Sequence, residues 1–474
     1  MKPITSFFFL LLLSSLCWGQ GFDWVSQING LSEELSRDMA VGPSGNVYIC
    51  GAYGNTMILP SGTLTSEGFR DAFIMKFDAQ GNLLRTTLMT SIFNEDAIAI
   101  GVDSLERVYV LVETSDTLRV EGQTLTNFSL PYLVVQFDSA GNYLSHFEPI
   151  DDFGQGAGFA FSGMVVSPSG RISLAGSFGV FVPNSQSITI GGQVFDLPVN
   201  PSSGFRIPQG FTAQYQPDGT VLWAKLTNGG GNTGIFHLDA APGEGVIIVG
   251  EFGPAGLEVN PDFNLGPGTP DFSTDFGNGG FVARYDSTGT VAWAQPMQPG
   301  QPVVSQFTQA SARRVAVDPT GAIYIYGEYT ETVRWGTDSV NAFPPPSFSS
   351  VGPYGFIAKA SPTGAPLWIE GVSFADGGNA RVNAMDADSA NVFLGGEYSD
   401  TLLIGGQDIF GGLSDIWFAS LNGSNGQANY LEAVNGPGFP DEVTGLAVKP
   451  NGSLLLTGTF DPPTNFGPFS LTQP

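Results

Sequence analysis

Short apolar runs, separated by clusters of Gly, Pro, Asn and Asp, recur along the whole chain. The clearest runs are rich in β-branched and aromatic residues, and a Gly near their end is followed two places later by an aromatic. They cover residues 47–53, 323–329 and 392–398. Runs of this length and composition between turn residues are typical of buried β-strands. The pattern therefore predicts an all-β protein.

The same run recurs at long, regular intervals, with degenerate copies between the clear ones. Its anchor positions are Gly51, Val112, Gly176, Gly250, Gly327, Gly396 and Gly458, which are spaced by 61, 64, 74, 77, 69 and 62 residues. This period exceeds that of a solenoid repeat and suits a four-stranded propeller blade with insertions. The spacing predicts a seven-bladed β-propeller of antiparallel blades.

Each repeat divides into four strands. A first strand ends in a turn such as 317–321, where Pro presets the first turn dihedral and Gly accepts a positive φ. The anchor run is the second strand. The third strand, as in 281–285, follows a variable excursion, and a fourth strand carries an aromatic residue at a fixed place: Trp223, Trp293 and Trp368.

The two ends of the chain are predicted to share the last blade. Residues 443–474 supply its first two strands, and residues 21–30, with Trp24 at the aromatic place, match a fourth strand. The N-terminal strand then closes the ring and removes exposed sheet edges. A third strand is missing from this blade, so either the sequence is truncated at its C-terminus or the blade has three strands.

The first nineteen residues predict a secretory signal peptide. Lys2 precedes an apolar run over 7–13, and small residues follow at 14, 15 and 19. A lipoprotein anchor at Cys17 is the alternative, but Leu16 is bulky where such a signal needs a small residue. Beyond residue 19 no apolar run approaches the ~18 residues of a membrane helix. We expect one domain over 20–474, secreted or at the cell surface, without an intramolecular disulfide because Cys50 alone is left.

Composition narrows the function further. The 44 acidic and 17 basic residues give a formal charge of −27, which excludes nucleic acid as a partner. With 64 Gly and 33 Pro the chain is too rich in helix breakers for a long helical protein. With 42% hydrophobic residues it is too apolar for a disordered acidic tail.

Residues 262–269, 279–286 and 317–324 resemble the repeat of the bacterial secreted seven-bladed β-propeller (SBBP-type) family of Bacteroidetes cell-surface proteins. The resemblance implies a propeller and export, and no catalytic residues, because the repeat motif is structural. Members often carry a C-terminal sorting domain, and none is visible in this sequence. We therefore expect a monomeric, non-catalytic binding or surface scaffold. The alternatives are a carbohydrate-active hydrolase or lyase and a structural module of a larger, truncated surface protein.

A ligand site is predicted where the first strands begin, at the axial mouth. Basic side chains gather there in an acidic chain, and the long excursions 179–209, 253–279 and 330–354 are expected on the same face. The candidate ligand is a glycan or an extracellular protein. The alternative is a mouth closed by salt bridges. The candidate ligand-binding residues are Arg37, His237, Arg313, Arg314, Arg381 and Trp335.

Candidate catalytic groups are few. His146 and His237 are the only histidines, and they fall in different blades. Glutamates follow several anchors. Glu251 is expected to face Arg284 and Glu328 to face Lys359 as cross-strand pairs, which favours a structural role over glycoside chemistry.

A Ca²⁺ site is a separate hypothesis for the second long excursion, because hard cations bind carboxylate and carbonyl oxygens. The candidate ligands are Asp262, Asn264, Asp271 and Asp275. No EF-hand-type loop accompanies them, and the alternative is a solvated acidic loop. We expect no other cofactor.

Overall fold

The structure is a computed structural model, and its described part consists of strands and turns without an α-helix. It confirms the all-β prediction. No helix there could cross a membrane. The described residues are 7–13, 22–30, 34–115, 117–152, 159–179, 187–200, 204, 206–229, 231–253, 263–265, 269, 271–273, 277–299, 309–341, 354–374, 379–411, 415–434, 436, 441–449, 451–460 and 464–471.

The strands form antiparallel units of four, in which consecutive strands pair. The N-terminal strands are β1 (Phe7–Leu13) and β2 (Phe22–Gly30). The first complete unit follows, with β3 (Glu34–Val41), β4 (Val47–Leu59), β5 (Gly62–Phe77) and β6 (Leu83–Thr90).

Two further units repeat this order and add a short hairpin between the second and third strands. One contains β7 (Asp96–Val102), β8 (Val108–Glu113), the hairpin β9 (Thr117–Val120) and β10 (Gln123–Thr126), β11 (Tyr132–Phe137) and β12 (Tyr143–Phe147). The next contains β13 (Phe159–Val166), β14 (Ile172–Phe178), the hairpin β15 (Ser187–Ile190) and β16 (Gln193–Asp196), β17 (Gln209–Tyr215) and β18 (Val221–Leu226).

The middle of the chain continues the series. After β19 (Asn228–Gly229) come β20 (Asn232–Ala241), β21 (Gly245–Gly253), the short β22 (Phe263–Asn264), β23 (Gly279–Tyr285) and β24 (Val291–Pro299). The following unit contains β25 (Ala310–Val317), β26 (Ile323–Tyr329), the hairpin β27 (Thr332–Trp335) and β28 (Asp338–Asn341), β29 (Tyr354–Ala360) and β30 (Pro366–Phe374).

The C-terminal part adds one complete unit and the start of another. The complete one contains β31 (Asn379–Ala387), β32 (Asn391–Ser399), the hairpin β33 (Thr401–Ile404) and β34 (Gln407–Phe410), β35 (Asp415–Asn422) and β36 (Ala428–Val434). The chain then forms β37 (Glu442–Val448), β38 (Leu454–Phe460) and the hairpin β39 (Thr464–Phe466) and β40 (Phe469–Leu471).

The last unit joins both ends of the chain in the order β37, β38, β1, β2. The N-terminal strand β2 takes the fourth place in this order. The third place, which sequence analysis left empty, holds β1, and β1 pairs with β38 on one side and β2 on the other. Seven consecutive apolar residues suit a strand flanked on both sides, so the run assigned to the leader also fits this place.

The first strands of the units contact one another in a cycle. β3 contacts β7, and the series continues through β13, β20, β25, β31 and β37 back to β3. Each first strand carries a register shift at the same place, where one extra residue bulges from the ladder: Arg37, Ile98, Ser162, Phe236, Arg313, Asn383 and Thr444. A β-bulge bends the strand and redirects its side chains.

The fourth-strand aromatic packs against the next unit. Gly289 has a φ of 76° in the tight turn before β24, and a Cβ placed on it would overlap the Trp223 ring. A glycine is needed there for both its φ and its size. The same contact recurs in the pairs Trp24–Gly81, Phe147–Gly219, Trp293–Gly364 and Trp368–Gly426.

The hairpin excursions extend the outer edge of the preceding unit. β9 pairs with β6, β27 with β24 and β33 with β30. The excursions in these units therefore cover fourth-strand edges, which would otherwise expose unpaired backbone groups.

Candidate functional site

The first strands surround an axial cavity of about 480 Å³. Its lining comes from β3, β7, β13, β20, β25, β31 and β37. A volume of this size falls within the range of small-molecule sites. The cavity is therefore a candidate site for binding or catalysis.

Three aspartates line the cavity, and each bridges two neighbouring first strands. One carboxylate oxygen of Asp239 accepts a hydrogen bond from the backbone N–H of Ala240, and the other accepts one from Val317 in the next unit, both at 2.7 Å. Asp38 bridges in the same way to Met39 and Ile100, and Asp386 to Ala387 and Val448, at 2.8–2.9 Å. These carboxylates act as latches between units.

Burial is the largest influence on the pKa values of these three aspartates. Burial, together with the nearby charge of Asp386, raises the pKa of Asp239 from 3.8 to about 7. Burial likewise raises the pKa of Asp38 and of Asp386 to about 6, against the backbone hydrogen bonds that favour the ionised form. The latches therefore ionise close to neutral pH.

The raised pKa predicts that Asp239 contributes less to the free energy of unfolding as the pH rises. Its pKa is raised in the folded chain, so its contribution to the free energy of unfolding is complete below about pH 4 and is lost as the pH rises through about 7. The Asp239→Asn variant cannot titrate there. Urea unfolding should be measured at about one-unit intervals between about pH 4.5 and 8. The free energy of unfolding of Asp239→Asn should rise relative to that of the parent as the pH rises. A difference that stays constant with pH contradicts the assignment.

His237 and Arg314 also line the cavity. The Nδ1 atom of His237 accepts a hydrogen bond from the Val315 N–H at 3.4 Å. Burial and the neighbouring Arg314 charge lower the pKa of His237 to about 3, so the ring is neutral with its proton on Nε2. Arg314 donates to the backbone oxygens of Asn383 and Arg313, at 3.0 and 3.1 Å. Both predicted site residues thus lie deeper than the mouth.

The other histidine lies elsewhere. His146 is on the fourth strand β12, where its Nδ1 atom is 2.7 Å from the Tyr143 hydroxyl. Burial lowers its pKa. The two histidines therefore do not form one site.

At the mouth, where the first strands begin, Arg37 is held by acid from the next unit. Its Nη2 atom lies 2.7 Å from Asp96 Oδ2, and Arg70 approaches the same oxygen at 3.4 Å. Asp96 is buried whereas Arg37 is exposed. The predicted ligand residue Arg37 thus takes part in a three-membered ion cluster.

Arg313 links two further acids. It lies 3.3 Å from Glu328 and 3.9 Å from Glu251, and its guanidinium carbon sits 4.2 Å from the Phe236 ring centroid. Arg313 and Phe236 occupy the bulge positions of their strands. The bulge therefore brings a first-strand arginine between the anchor glutamates of two units.

This arrangement corrects two predicted ion pairs. Glu251 lies opposite Gly280, and Glu328 lies opposite Gly355, instead of opposite the basic residues expected. In an antiparallel pair the residue after the anchor meets the beginning of the third strand, whereas the basic residues lie near its end. Those residues, Arg284 and Lys359, donate to backbone oxygens of neighbouring turns.

Arg381 completes the set of charges at the mouth. Its Nη1 atom lies 4.0 Å from Glu397 Oε1, and its side chain is 60% exposed. Glu442 is close to both Glu397 and Arg37. Burial and the charge of Glu397 raise the pKa of Glu442, whereas the charge of Arg37 lowers it. We call Arg37, Asp96, Glu251, Arg313, Glu328, Arg381 and Glu397 the charged belt.

One sector of the mouth is aromatic. Tyr132, Phe159 and Phe161 are partly exposed, with ring centroids 5.0–5.3 Å apart, and the buried Phe211 supports them at 5.6 Å from Phe161. We call these four residues the aromatic cluster. Sequence analysis missed it, although the alternation Phe159-Ala160-Phe161 at the start of a first strand was a usable signal.

Trp335 does not lie at the mouth. It is 1% exposed in β27, and its Nε1–H donates to the Lys359 carbonyl at 3.1 Å. The hairpin carrying it extends the neighbouring fourth strand, at the outer side of the unit. The structure therefore places Trp335 in the core, away from the residues with which it was grouped.

The predicted Ca²⁺ ligands are placed only in part. The Asn264 amide donates to Asp271 at 3.0 Å, whereas Asp262 and Asp275 lie outside the described residues. Within the described ranges no group of three or more His, Cys, Asp or Glu side chains is arranged to hold a metal ion.

Cys50, buried beneath the first strands, donates to the Ala97 carbonyl at 3.3 Å.

Comparison with known proteins gives distant similarities. No family model matches the chain. The chain is 21% identical over 535 aligned positions to an uncharacterized WD repeat-containing protein of Acanthamoeba polyphaga mimivirus, an alignment that covers 94% of this chain and 36% of that protein. The chain thus spans about a third of the length of that relative.

Among solved structures, the chain is similar to the quinohemoprotein alcohol dehydrogenase from Comamonas testosteroni, with a TM-score of 0.38 and 10% identity, covering 90% of this chain and 74% of that one. It is also similar to the leech intramolecular trans-sialidase (TM-score 0.33, 9% identity, 89% and 64% covered). A third is the extracellular domain of a putative hybrid two component system from B. thetaiotaomicron (TM-score 0.21, 8% identity, 93% and 73% covered). These similarities assign no activity to the chain.

Proposed function

We propose that the chain is an exported seven-bladed β-propeller of the SBBP type that acts as a non-catalytic binding scaffold. Seven anchor runs and the cycle of contacts among the first strands support the blade count. The distant WD repeat-containing relative agrees with a blade repeat. The binding surface is the axial mouth, where the charged belt and the aromatic cluster meet.

The observation that carries this proposal is the pairing of four acidic groups at the mouth with arginines. Asp96, Glu251, Glu328 and Glu397 each lie within 4.0 Å of an arginine. A glycosidase needs two carboxyls free to act as acid and as nucleophile or base, about 5–9.5 Å apart. Carboxylates neutralised by arginine are poorly suited to that work. Paired charges instead offer fixed hydrogen-bond donors and acceptors.

The ligand class that fits this surface best is a glycan. Aromatic faces pack against the apolar side of a sugar ring, and the neighbouring polar groups can hydrogen-bond its hydroxyls. Two rings of the aromatic cluster lie on β13, which contacts β20, and Phe236 on β20 packs against Arg313, so both kinds of contact are available on neighbouring strands. The formal charge of −27 repels polyanions from the protein as a whole. At the mouth, the arginines provide local positive charge that can attract acidic groups of a glycan.

Glycan binding by the exported protein tests this proposal. On an array of bacterial and host polysaccharides the parent should retain at least one glycan. Phe161→Ala should weaken that binding at least tenfold, because it removes the central ring of the aromatic cluster. The matched control is Phe410→Ala, which removes a 71% exposed ring from the outer hairpin β34 and should leave binding unchanged.

Two results contradict the proposal. One is a folded parent that retains no glycan. The other is equal weakening by Phe161→Ala and Phe410→Ala, which would place the ligand away from the mouth. Unfolding midpoints of both variants, measured in parallel, separate lost contact from lost structure.

A further inference from the structure

Arg314 is a cationic side chain in the lining of the axial cavity, and its hydrogen bonds go only to backbone oxygens. Its Nε and Nη1 atoms donate to the carbonyls of Asn383 and Arg313, at 3.0 and 3.1 Å. Among the described residues no carboxylate oxygen lies within 4.0 Å of its guanidinium, whereas Arg37, Arg313 and Arg381 each have an acid at that distance or closer. A guanidinium keeps its charge in proteins. The cavity therefore holds a positive charge that the described part of the chain leaves without an ion pair.

His237 supplies a second donor to the same cavity. Its Nδ1 atom accepts from the Val315 N–H, so the proton of the neutral ring lies on Nε2, which has no acceptor within the described ranges. Val315 follows Arg314 directly in β25. Burial and the nearby Arg314 charge lower the pKa of His237, so the two side chains are neighbours. Two neighbouring N–H donors, one of them charged, thus line the cavity.

These donors favour a particular kind of ligand group. A carboxylate has two oxygens that can accept from two donors at once, and its hydrogen bond to a guanidinium is stronger than a neutral one. Asp38, Asp239 and Asp386 line the same cavity, but their oxygens already accept backbone hydrogen bonds. Their charges would repel a dianion such as sulfate more strongly than a monoanion. The volume of about 480 Å³ has room for a molecule as large as a monosaccharide.

We propose that the axial cavity binds a monocarboxylate, with Arg314 and His237 donating to its two oxygens. The ligand provides the counter-charge for the guanidinium, which a charge removed from bulk water needs. The carboxylate can belong to a small free acid or to an acidic sugar. This site lies deeper than the mouth and does not use the aromatic cluster, so it goes beyond the proposed glycan surface.

The three aspartates make this binding depend on pH. Burial raises the pKa of Asp38 and of Asp386 to about 6, and burial together with the charge of Asp386 raises that of Asp239 to about 7. As the pH rises from about 5.5 to 8 these carboxyls ionise beside the ligand, so its affinity should fall at least tenfold. β7, β13 and β37 contribute only uncharged residues to the described lining. The other charged or titratable groups in the lining or near Arg314 are Arg37, His237, Arg313, Tyr326 and Glu328.

Calorimetric titration of the full chain tests the site. The probes are acetate and glucuronate, with glucose as the neutral match for glucuronate and sulfate as the dianion. At about pH 5.5, where both carboxylates are ionised, at least one of them should bind saturably, and glucose and sulfate should bind at least tenfold more weakly. Tighter binding of glucuronate than of acetate supports an acidic sugar as the source, and the reverse supports a small free acid.

Two substitutions assign the donors. Arg314→Gln removes the charge, and His237→Asn keeps an acceptor for the Val315 N–H but removes the Nε2–H donor; each should weaken carboxylate binding at least tenfold. The matched control is Arg284→Gln, which should leave binding unchanged. Arg284 also donates to backbone oxygens, but it lies on the third strand β23, outside the cavity lining. Unfolding midpoints identify a variant that does not fold, and the other variant then carries the comparison.

Several results overturn the carboxylate site. They are no saturable binding of either carboxylate at about pH 5.5, equal binding of glucuronate and glucose, and equal weakening by Arg314→Gln and Arg284→Gln. An affinity that stays constant as the pH rises to about 8 overturns it too, because the aspartates would then not face the ligand. Glycan retention with Phe161→Ala, measured on the same preparation, reports on the mouth independently of these results.

Discussion

Gly289→Ala should lower the free energy of unfolding by about 3 kcal/mol, whereas Gly243→Ala should lower it by only about 1 kcal/mol. Both glycines have a φ of 76°, so the backbone cost of adding a Cβ is the same. A Cβ on Gly289 would overlap the Trp223 ring, but a Cβ on Gly243 would meet nothing within 4 Å. The difference between the two variants isolates the contact between neighbouring units.

Urea unfolding of the two variants and the parent measures this difference. A second substitution locates the cause: Trp223→Leu removes the ring, so Gly289→Ala should cost less in that background than in the parent. Equal losses for the two glycine variants, or no coupling between Gly289→Ala and Trp223→Leu, would contradict the packing of fourth-strand aromatics on the next unit. The result bears on the whole ring, because four other pairs repeat this contact.

Trp335→Ala should lower the free energy of unfolding by about 3–5 kcal/mol and leave glycan affinity unchanged. The side chain is buried in the large core that spans β20 to β36, and it caps the hairpin β27–β28 against the third strand. Removing it leaves a cavity and takes one hydrogen bond from the Lys359 carbonyl. A ligand-binding tryptophan would show the reverse, with little loss of stability and a large loss of affinity.

Trp335→Phe is the matched control for this prediction. It keeps most of the ring volume and loses the indole hydrogen bond, which is worth about 1 kcal/mol. Its loss of stability should therefore be less than half that of Trp335→Ala. If both variants unfold like the parent and both lose glycan binding, Trp335 belongs to the ligand site after all.

The strands and tight turns could be predicted from the sequence because they depend on neighbouring residues. The turn 286–289 shows why: Asp286 accepts hydrogen bonds from the N–H groups of Thr288 and Thr290, and Gly289 takes the positive φ. Turn hydrogen bonds and φ preferences of this kind can be recognised from four or five consecutive residues. The match of residues 22–26 to a fourth strand used an equally local signal, an aromatic residue at a fixed place.

The ion pairs could not be predicted, because they depend on register and on the bulge. Pairing by residue type assigned Glu328 to Lys359, but the ladder sets Tyr324 opposite Lys359. The bulge at Arg313 then turns a first-strand side chain toward two glutamates. One inserted residue per strand, which no sequence pattern marked, decides the geometry of the mouth.

The hairpin excursions were a repeat that sequence analysis overlooked. Residues 117–122, 187–192 and 401–406 share alternating apolar positions followed by a glycine turn. The alternation marks a half-buried strand, and the glycine marks the turn of a hairpin. Recognising this repeat would have moved Trp335, which lies in an equivalent hairpin, from the mouth to the outer edge of a unit.

A non-catalytic scaffold binds a glycan at the mouth without cleaving it. The most direct measurement follows the length of the retained polysaccharide by mass spectrometry, with reducing ends counted, during prolonged incubation with the protein. The glycan should be recovered at its original length, and Phe161→Ala should weaken its retention at least tenfold. Steady release of shorter chains, abolished by Glu328→Gln, would contradict it.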